Sequence, residues 1–290
     1  MGNPRAAILM VLAMATFAMG DALVKTSAGN MSIAQVLIFM ATPGVILFAI
    51  VGQRAGQPPI SKEFFARPVM LRNAVEGMTA ICMVSALAMA PLSLVIAIIQ
   101  AVPLFVTLGA ALILKEKVGP RRWIAVIVGF IGVMLMLRPD ASGISLGALV
   151  ALLAAVGLSA RDIITRAMPM RIGTLQMATW GSAALIPAGL LMMPFTGPHA
   201  MPSSTAWIII LCASMANAIG YYSITAAMRL GDVSYVTPFR YTRLVFALII
   251  AALFFHERPD TLTLIGAFIV IGSGLFVMWR ERKTTVSDNM

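Results

Sequence analysis

Three ionisable side chains within apolar stretches are the residues of this sequence best suited to binding chemistry. Arg240 and Arg243 lie three positions apart, so a helix presents both on one face, with Tyr241 close by. Glu76 enters another stretch at a depth similar to that of Arg240. Guanidinium offers a planar fork of donors to a carboxylate or phosphate, and a carboxylate receives an amine or a proton. We predict that these residues bind a solute; the alternative is an ion pair, such as Glu76 with Arg240, that only locks two helices.

Polar and aromatic residues at mid-span depth form a second set of candidates for lining a cavity. They are Gln100, Trp180, Asn217, Tyr221, Tyr222 and Tyr241. Each side chain is able to hydrogen-bond a solute or stack on it, and Asn217 and Tyr221 share one helical face. The alternative role is hydrogen bonding between neighbouring helices, at about 0.6 kcal/mol per bond.

Two further pairs have the spacing of intrahelical ion pairs near helix ends. Asp21 precedes Lys25 by four positions, and Asp162 precedes Arg166 by four. Residues with this spacing are neighbours on a helix surface, so we predict that each pair is satisfied within its own helix. Gating is the functional hypothesis for these four residues, and a purely structural role is the alternative.

Catalytic and metal-binding motifs are missing from the sequence. It contains no HExxH, no Walker A and no GxSxG pattern, and its only histidines, His199 and His256, fall in predicted loops. Neither Cys82 nor Cys212 stands in a metal-ligand spacing. We therefore predict no catalytic residues, no metal and no cofactor, and we disfavour an enzyme.

The elements that position these residues are predicted to be transmembrane helices. Of the 290 residues, 60% are hydrophobic and only 11% are charged, with a mean hydropathy of +0.95. A helical crossing of the bilayer needs roughly 20 apolar residues, and stretches of that size follow one another along the whole chain. Divided at Pro, Gly and charge clusters, they predict an all-α integral membrane protein of ten transmembrane helices.

An internal repeat divides these helices into two sets of five. A shift of the chain by 141 positions needs no gap and aligns matching residues: Asp21 with Asp162, Lys25 with Arg166, Ser93 with Ser234, Phe105 with Phe246, and Glu116 with Glu257. We infer two homologous repeats, 1–139 and 142–282, followed by a tail, 283–290. Because each repeat crosses the membrane an odd number of times, the second repeat is inverted.

The distribution of basic residues predicts the orientation in the membrane. With both termini in the cytoplasm, 15 of the 21 Lys and Arg residues, Arg72 among them, lie at inner loops and tails, and only Lys25, Arg138 and Arg258 lie at outer ends. This asymmetry follows the positive-inside rule. It accounts for the net charge of +10 without a nucleic-acid partner, and it leaves the lipid bilayer as the expected surroundings.

Residues 91–139 resemble a known transporter repeat. The segment reads Pro-Leu-Ser, an apolar span with Pro103, then Lys-Glu-Lys, a Gly-containing span and Arg138-Pro139, and the second half repeats this order from Ser234. The pattern is similar to the EamA-type repeat of the drug/metabolite transporter superfamily. The second half departs from this pattern at the repeat equivalent of Pro103, which is Leu244. The nearest proline of the second half, Pro238, lies six residues before Leu244. The kink of the ninth helix is therefore expected at a different place.

The resemblance implies a ten-helix carrier with inverted repeats, cytoplasmic termini and a central cavity in the bacterial inner membrane. We predict a secondary transporter of a small polar or zwitterionic metabolite by alternating access, with export of amino acids or related metabolites favoured and protons as a candidate coupling ion. Uptake of a vitamin such as riboflavin is the alternative cargo. Alternatives of another class are a membrane scaffold without cargo and an intramembrane enzyme.

The charge asymmetry yields a direct test of orientation. A reporter enzyme that is active only in the cytoplasm, fused after Met290, is expected to be active, because the basic inner loops hold the termini on that side. The predicted topology would be overturned if this fusion were inactive and a reporter enzyme that is active only outside the cytoplasm were active at the same position.

Overall fold

The structure is a computed structural model that describes residues 2–113, 115, 119–138, 145–166, 168, 171–197, 201–230 and 233–287. The side chains of residues 2, 166, 229, 233, 234 and 280–287 are outside this description. The described part of the chain is helical throughout, without a strand. Its α-helices are α1 Gly2–Ala28, α2 Ile33–Arg54, α3 Arg67–Met89, α4 Leu92–Ile99, α5 Val102–Leu112, α6 Pro120–Leu137, α7 Leu146–Arg166, α8 Thr174–Met192, α9 Ser204–Leu230, α10 Val233–Val236, α11 Thr242–Phe254 and α12 Thr261–Ser287.

These helices make ten crossings, as the apolar stretches predict. By length and composition, nine segments of the described chain qualify as membrane spans, with α4 and α5 counted as one segment. The tenth crossing, α3, is less apolar because its first turns carry Arg67, Arg72 and Glu76. The multi-pass helical fold is thereby confirmed.

Two crossings are broken in the middle rather than continuous. The fourth is interrupted between α4 and α5 at Gln100 and Ala101, in the turn before Pro103, whose ring and missing N–H disrupt that turn. The ninth contains a 3-10 segment, Thr237–Tyr241, around Pro238. This segment begins beside the displaced proline but ends at Tyr241, the repeat equivalent of Gln100. The irregular backbone of the ninth crossing therefore begins at Thr237, the repeat equivalent of Ile96, where the fourth crossing is still regular helix. It starts at a different place, as expected, and ends at the same register.

The two repeats are interleaved rather than side by side. Helix α1 packs mainly against α9, and its repeat equivalent α7 packs against α3. The remaining large contacts join equivalent helices, α2 with α8 and α6 with α12. Small residues allow the last of these, because a Cβ on Gly132 or on Gly266 would meet the backbone carbonyl of the other glycine. Most of the packing therefore connects one repeat to the other, around a core centred on α4.

Candidate functional site

A buried ion pair joins the first helix to the ninth crossing. The guanidinium of Arg243 donates to Oδ2 of Asp21 from Nε at 3.0 Å and from Nη2 at 2.6 Å, and it lies over the ring of Phe17. The Asp21 side chain is only 8% exposed. Charge-assisted bonds of this length are the strong class of hydrogen bond. Arg243 is thus engaged by the protein itself, with Asp21 rather than Glu76 as its partner.

The predicted intrahelical pair of Asp21 with Lys25 is therefore wrong. Lys25 Nζ donates instead to the main-chain oxygen of Ala90 at 2.6 Å and of Leu87 at 3.2 Å, and it lies 3.8 Å from Oε1 of Glu257. Both residues of α1 find closer partners on neighbouring helices than on their own, because the two side chains face different parts of the bundle.

The second predicted pair is only partly described. Asp162 is held by its sequence neighbour, because Oδ1 accepts from Nη2 of Arg161 at 2.8 Å and from Nε at 3.1 Å. The Arg166 side chain lies outside the described residues, so its pairing with Asp162 stays a prediction.

Glu76 is clamped between two arginines. Its Oε1 lies 3.2 Å from Nη1 of Arg161, on α7, and its Oε2 lies 3.2 Å from Nη2 of Arg72, one turn earlier on α3. Arg72 is itself buried and also donates to Thr165 Oγ1 from Nε at 3.3 Å. The predicted pair of Glu76 with Arg240 is therefore wrong, because α7 brings Arg161 to this carboxylate instead.

Arg240 has no close counter-ion among the described residues of this region. Among the described residues it forms none of the ion pairs within 4.0 Å, although it is half-buried. It interacts electrostatically with Asp162, Arg161 and Arg243. Arg240 is therefore within electrostatic range of members of both the Glu76 cluster and the Asp21–Arg243 pair.

We call the set formed by these side chains the polar network; it comprises Asp21, Arg72, Glu76, Arg161, Asp162, Arg240 and Arg243. Three of its members are carboxylates and four are guanidinium groups. With every group ionised the network carries one surplus positive charge. In an apolar surrounding such a surplus attracts an anion strongly.

Gln100 and Tyr241 meet where the two broken crossings approach each other. The Gln100 amide donates from Nε2 to the main-chain oxygen of Tyr241 at 3.3 Å, and both residues are more than nine-tenths buried. Because the two positions are repeat equivalents, this bond lies at the pseudo-two-fold axis. The Tyr241 hydroxyl faces Gly274 and has no hydrogen-bond partner among the described residues.

The other lining candidates divide between the network and its surroundings. Tyr221 lies within electrostatic range of Arg72, Arg161 and Glu76 and adjoins the network. Asn217 donates to the Ala213 carbonyl of its own helix at 2.9 Å. Asn217 and Tyr221 therefore stay predicted lining residues.

Trp180 and Tyr222 have other roles than those predicted. The indole N–H of Trp180 donates to the Pro59 carbonyl at 2.7 Å, and its ring packs on Phe64, so it anchors the loop before α3. Tyr222 is 67% exposed and faces the bundle exterior. The prediction that they line a cavity is therefore wrong. It rested on their depth along the chain, and depth does not tell which way the rotation of a helix turns a side chain.

Two central members of the network escaped the prediction. Arg72 was assigned to the inner basic cluster, although its spacing of four from Glu76 signals a helical pair. Arg161 stands within a predicted span, and a charge at that depth is itself a signal of function. No group of three or more His, Cys, Asp or Glu side chains in the described part of the chain is arranged to hold a metal.

Replacing Asp21 by Asn tests the buried pair. The substitution leaves the Arg243 charge without its counter-ion, and we expect the free energy of unfolding to fall by about 3 to 5 kcal/mol. Thermal or denaturant unfolding in detergent measures it. The double variant Asp21→Leu/Arg243→Met is expected to recover most of the loss.

Asp260→Asn is the matched control, because that carboxylate pairs with Arg138 at a site where both side chains are more than 40% exposed. We expect it to cost about 1 kcal/mol or less. Equal losses for Asp21→Asn and Asp260→Asn would contradict the assignment of a buried ion pair.

Comparison with solved structures supports the described architecture. One crystal structure matches this chain with a TM-score of 0.65 over 96% of this chain and 98% of the other, at 19% identity. At that identity the similarity is one of fold alone.

Relatives of known name share more of the sequence. A riboflavin transporter from Rhizobium johnstonii is 32% identical over 69% of this chain and 66% of its own length. An S-adenosylmethionine uptake transporter from Rickettsia prowazekii is 29% identical over 70% of this chain and 68% of its own. A pseudopaline exporter from Pseudomonas aeruginosa is 27% identical over 91% of this chain and 92% of its own.

A family model described as the EamA-like transporter family matches twice, at residues 4–138 and 145–279. These matches confirm both the resemblance drawn from the Pro-Leu-Ser and Lys-Glu-Lys segments and the presence of two repeats. Family and relatives alike are transporters of small molecules rather than enzymes. The chain belongs to the EamA-like transporter family.

Proposed function

We propose that this protein is a secondary transporter of a small polar metabolite that carries a carboxylate or another anionic group, working by alternating access in a bacterial inner membrane. The observation that carries the proposal is the polar network with its surplus guanidinium, Arg240. A solute carboxylate beside Arg240 would neutralise a buried charge that the described protein residues leave without a close counter-ion.

The other network charges explain a preference for zwitterionic cargo. Glu76 and Asp162 belong to the same network as Arg240, and a solute amine has access to them only by competing with Arg72 and Arg161. When the solute binds, its contacts replace some of these internal ion pairs. The affinity for the solute then differs between the conformational states of the protein, and a carrier needs this difference. Amino acids and related metabolites have this combination of charges.

The two repeats, 1–139 and 142–282, supply the moving parts in this proposal. In carriers with inverted repeats, one bundle rocks against the other around a site near the midplane. The irregular backbone at Gln100 and Thr237–Tyr241 lies next to that site, as discontinuous helices do in such carriers. Export is our favoured direction, and protons are the coupling ion proposed, with Glu76 as the acceptor.

Vitamin uptake is a second candidate, favoured by the name of the Rhizobium relative. The aromatic residues support this cargo less than the sequence indicates, because Trp180 is hydrogen-bonded to the Pro59 carbonyl and Tyr222 is largely exposed. Riboflavin also lacks the carboxylate that Arg240 would bind.

Flux in proteoliposomes tests the proposal. A pool of labelled amino acids, small carboxylates and riboflavin is offered for uptake and counterflow, with and without a pH gradient. We expect saturable flux of a carboxylate-bearing solute, reduced at least about tenfold by Arg240→Ala, since a charged hydrogen bond contributes about 1.5 to 3 kcal/mol. Glu76→Gln is expected to abolish the response to the pH gradient.

Arg54→Ala is the matched control, because Arg54 is an exposed cation at the end of α2; its flux is expected to equal that of the wild type. Riboflavin as the sole transported solute would favour the second candidate. No flux of any solute under either gradient would overturn the transport proposal and favour a scaffold.

A further inference from the structure

A carboxylate of the second repeat caps a helix of the first. Glu257, in the loop after α11, accepts from the main-chain N–H of Leu92 at 2.8 Å with Oε1. Its Oε2 accepts from the N–H of Ser93 at 3.0 Å and from its hydroxyl at 2.8 Å. These donors are the first groups of α4, where free N–H groups and the helix dipole favour a negative charge. Three hydrogen bonds thus tie the start of α4 to the end of α11.

A cation of the first repeat completes the arrangement. Lys25 binds the carbonyls of Leu87 and Ala90 at the end of α3, lies 3.8 Å from Glu257 Oε1, and stands over the ring of Phe255. The Lys25 and Glu257 side chains are 19% and 13% exposed. Together they connect four chain segments: the ends of α1 and α3, the start of α4 and the loop after α11.

All four segments lie at one face of the bundle, opposite the chain termini. Helices α1 and α3 and the ninth crossing end at this face, and α4 begins there. The polar network residues Glu76 and Arg240 lie nearer the opposite face, within the first half of their crossings. The contacts therefore close one end of the bundle above the proposed binding site.

The backbone of the loop is built to place Glu257. His256, directly before it, has φ of 52°, a left-handed conformation that residues other than Gly rarely adopt. Lys115, its repeat equivalent, has φ of 56°, so both repeats contain this turn. The sequence repeats the residue types as well, with Arg166 matching Lys25, Ser234 matching Ser93 and Glu116 matching Glu257. Both repeats therefore contain the residue types from which this arrangement is built.

We propose that Lys25 and Glu257 form an inter-repeat latch that holds the face opposite the termini closed and separates when that face opens during transport. The inference rests on the proposed alternating access. Polar contacts suit this role because water at the membrane end replaces the broken hydrogen bonds, whereas a separated apolar contact gains nothing from water.

Cysteine accessibility tests the latch without any transport measurement. In a background with Cys82 and Cys212 replaced by Ala, a reporter is introduced by Ala97→Cys; Ala97 lies in α4 below the capped end and is 1% exposed. A membrane-impermeant maleimide is added to the side of membrane vesicles opposite the chain termini, and the labelling rate is measured without solute. We expect Glu257→Gln to raise that rate by about tenfold or more, since it removes a charged acceptor.

Lys25→Met removes the other half of the latch and is expected to raise the rate similarly, while the double variant adds little to either. Asp260→Asn is the matched control: it removes a carboxylate that caps α12 through Thr263 in the same loop, and it is expected to leave the rate within about twofold of the parent.

An unchanged labelling rate in both folded latch variants would overturn the proposal. If Glu257→Gln does not reach the membrane, the labelling rate of Lys25→Met in the same assay tests the latch by itself. Labelling and flux are independent, so a wild type without flux overturns the proposed function, whereas unchanged labelling overturns only the latch.

Discussion

The cost of a charge in an apolar bundle is the constraint on which the arrangement of this structure depends. At the centre of a bilayer an ionised side chain costs about 2.5 to 3.5 kcal/mol on insertion scales unless it finds a partner or water. The polar network meets that cost by joining helices: Asp21 with Arg243 connects α1 to α11, and Glu76 with Arg161 connects α3 to α7. Both connections cross from one repeat to the other. The same charges therefore hold the repeats together and are the groups that we propose for binding the solute.

Symmetry and asymmetry have different consequences in this molecule. Shared between the repeats are the helix pairing, the break at Gln100 and Tyr241, and the left-handed turn at Lys115 and His256. These features belong to the fold. The charges of the network are not repeated, since Asn217 matches Glu76 and Ile99 matches Arg240. A substrate has a single orientation in a carrier, so its ligands need not obey the two-fold relation.

Hydropathy and the offset of 141 were sufficient to predict ten crossings and two repeats, because both signals lie in residue types and spacing. The ion-pair partners were predicted poorly. Asp21 faces Arg243 rather than Lys25, since partner choice depends on helix rotation and on which helices are neighbours. Burial of Trp180 against Pro59 and exposure of Tyr222 are further results of rotation. What survives from the sequence is the identity of Glu76, Arg240 and Arg243 as costly charges that needed an explanation.

In the proposed function, Arg240 is the group that recognises an anionic part of the solute. The direct measurement is calorimetric binding of a transported carboxylate and its uncharged amide analogue to wild type and Arg240→Gln, which closes a double-mutant cycle. We expect wild type to prefer the carboxylate by about tenfold or more and the variant to bind the two equally. An equal preference for the carboxylate in wild type and variant would contradict this role of Arg240.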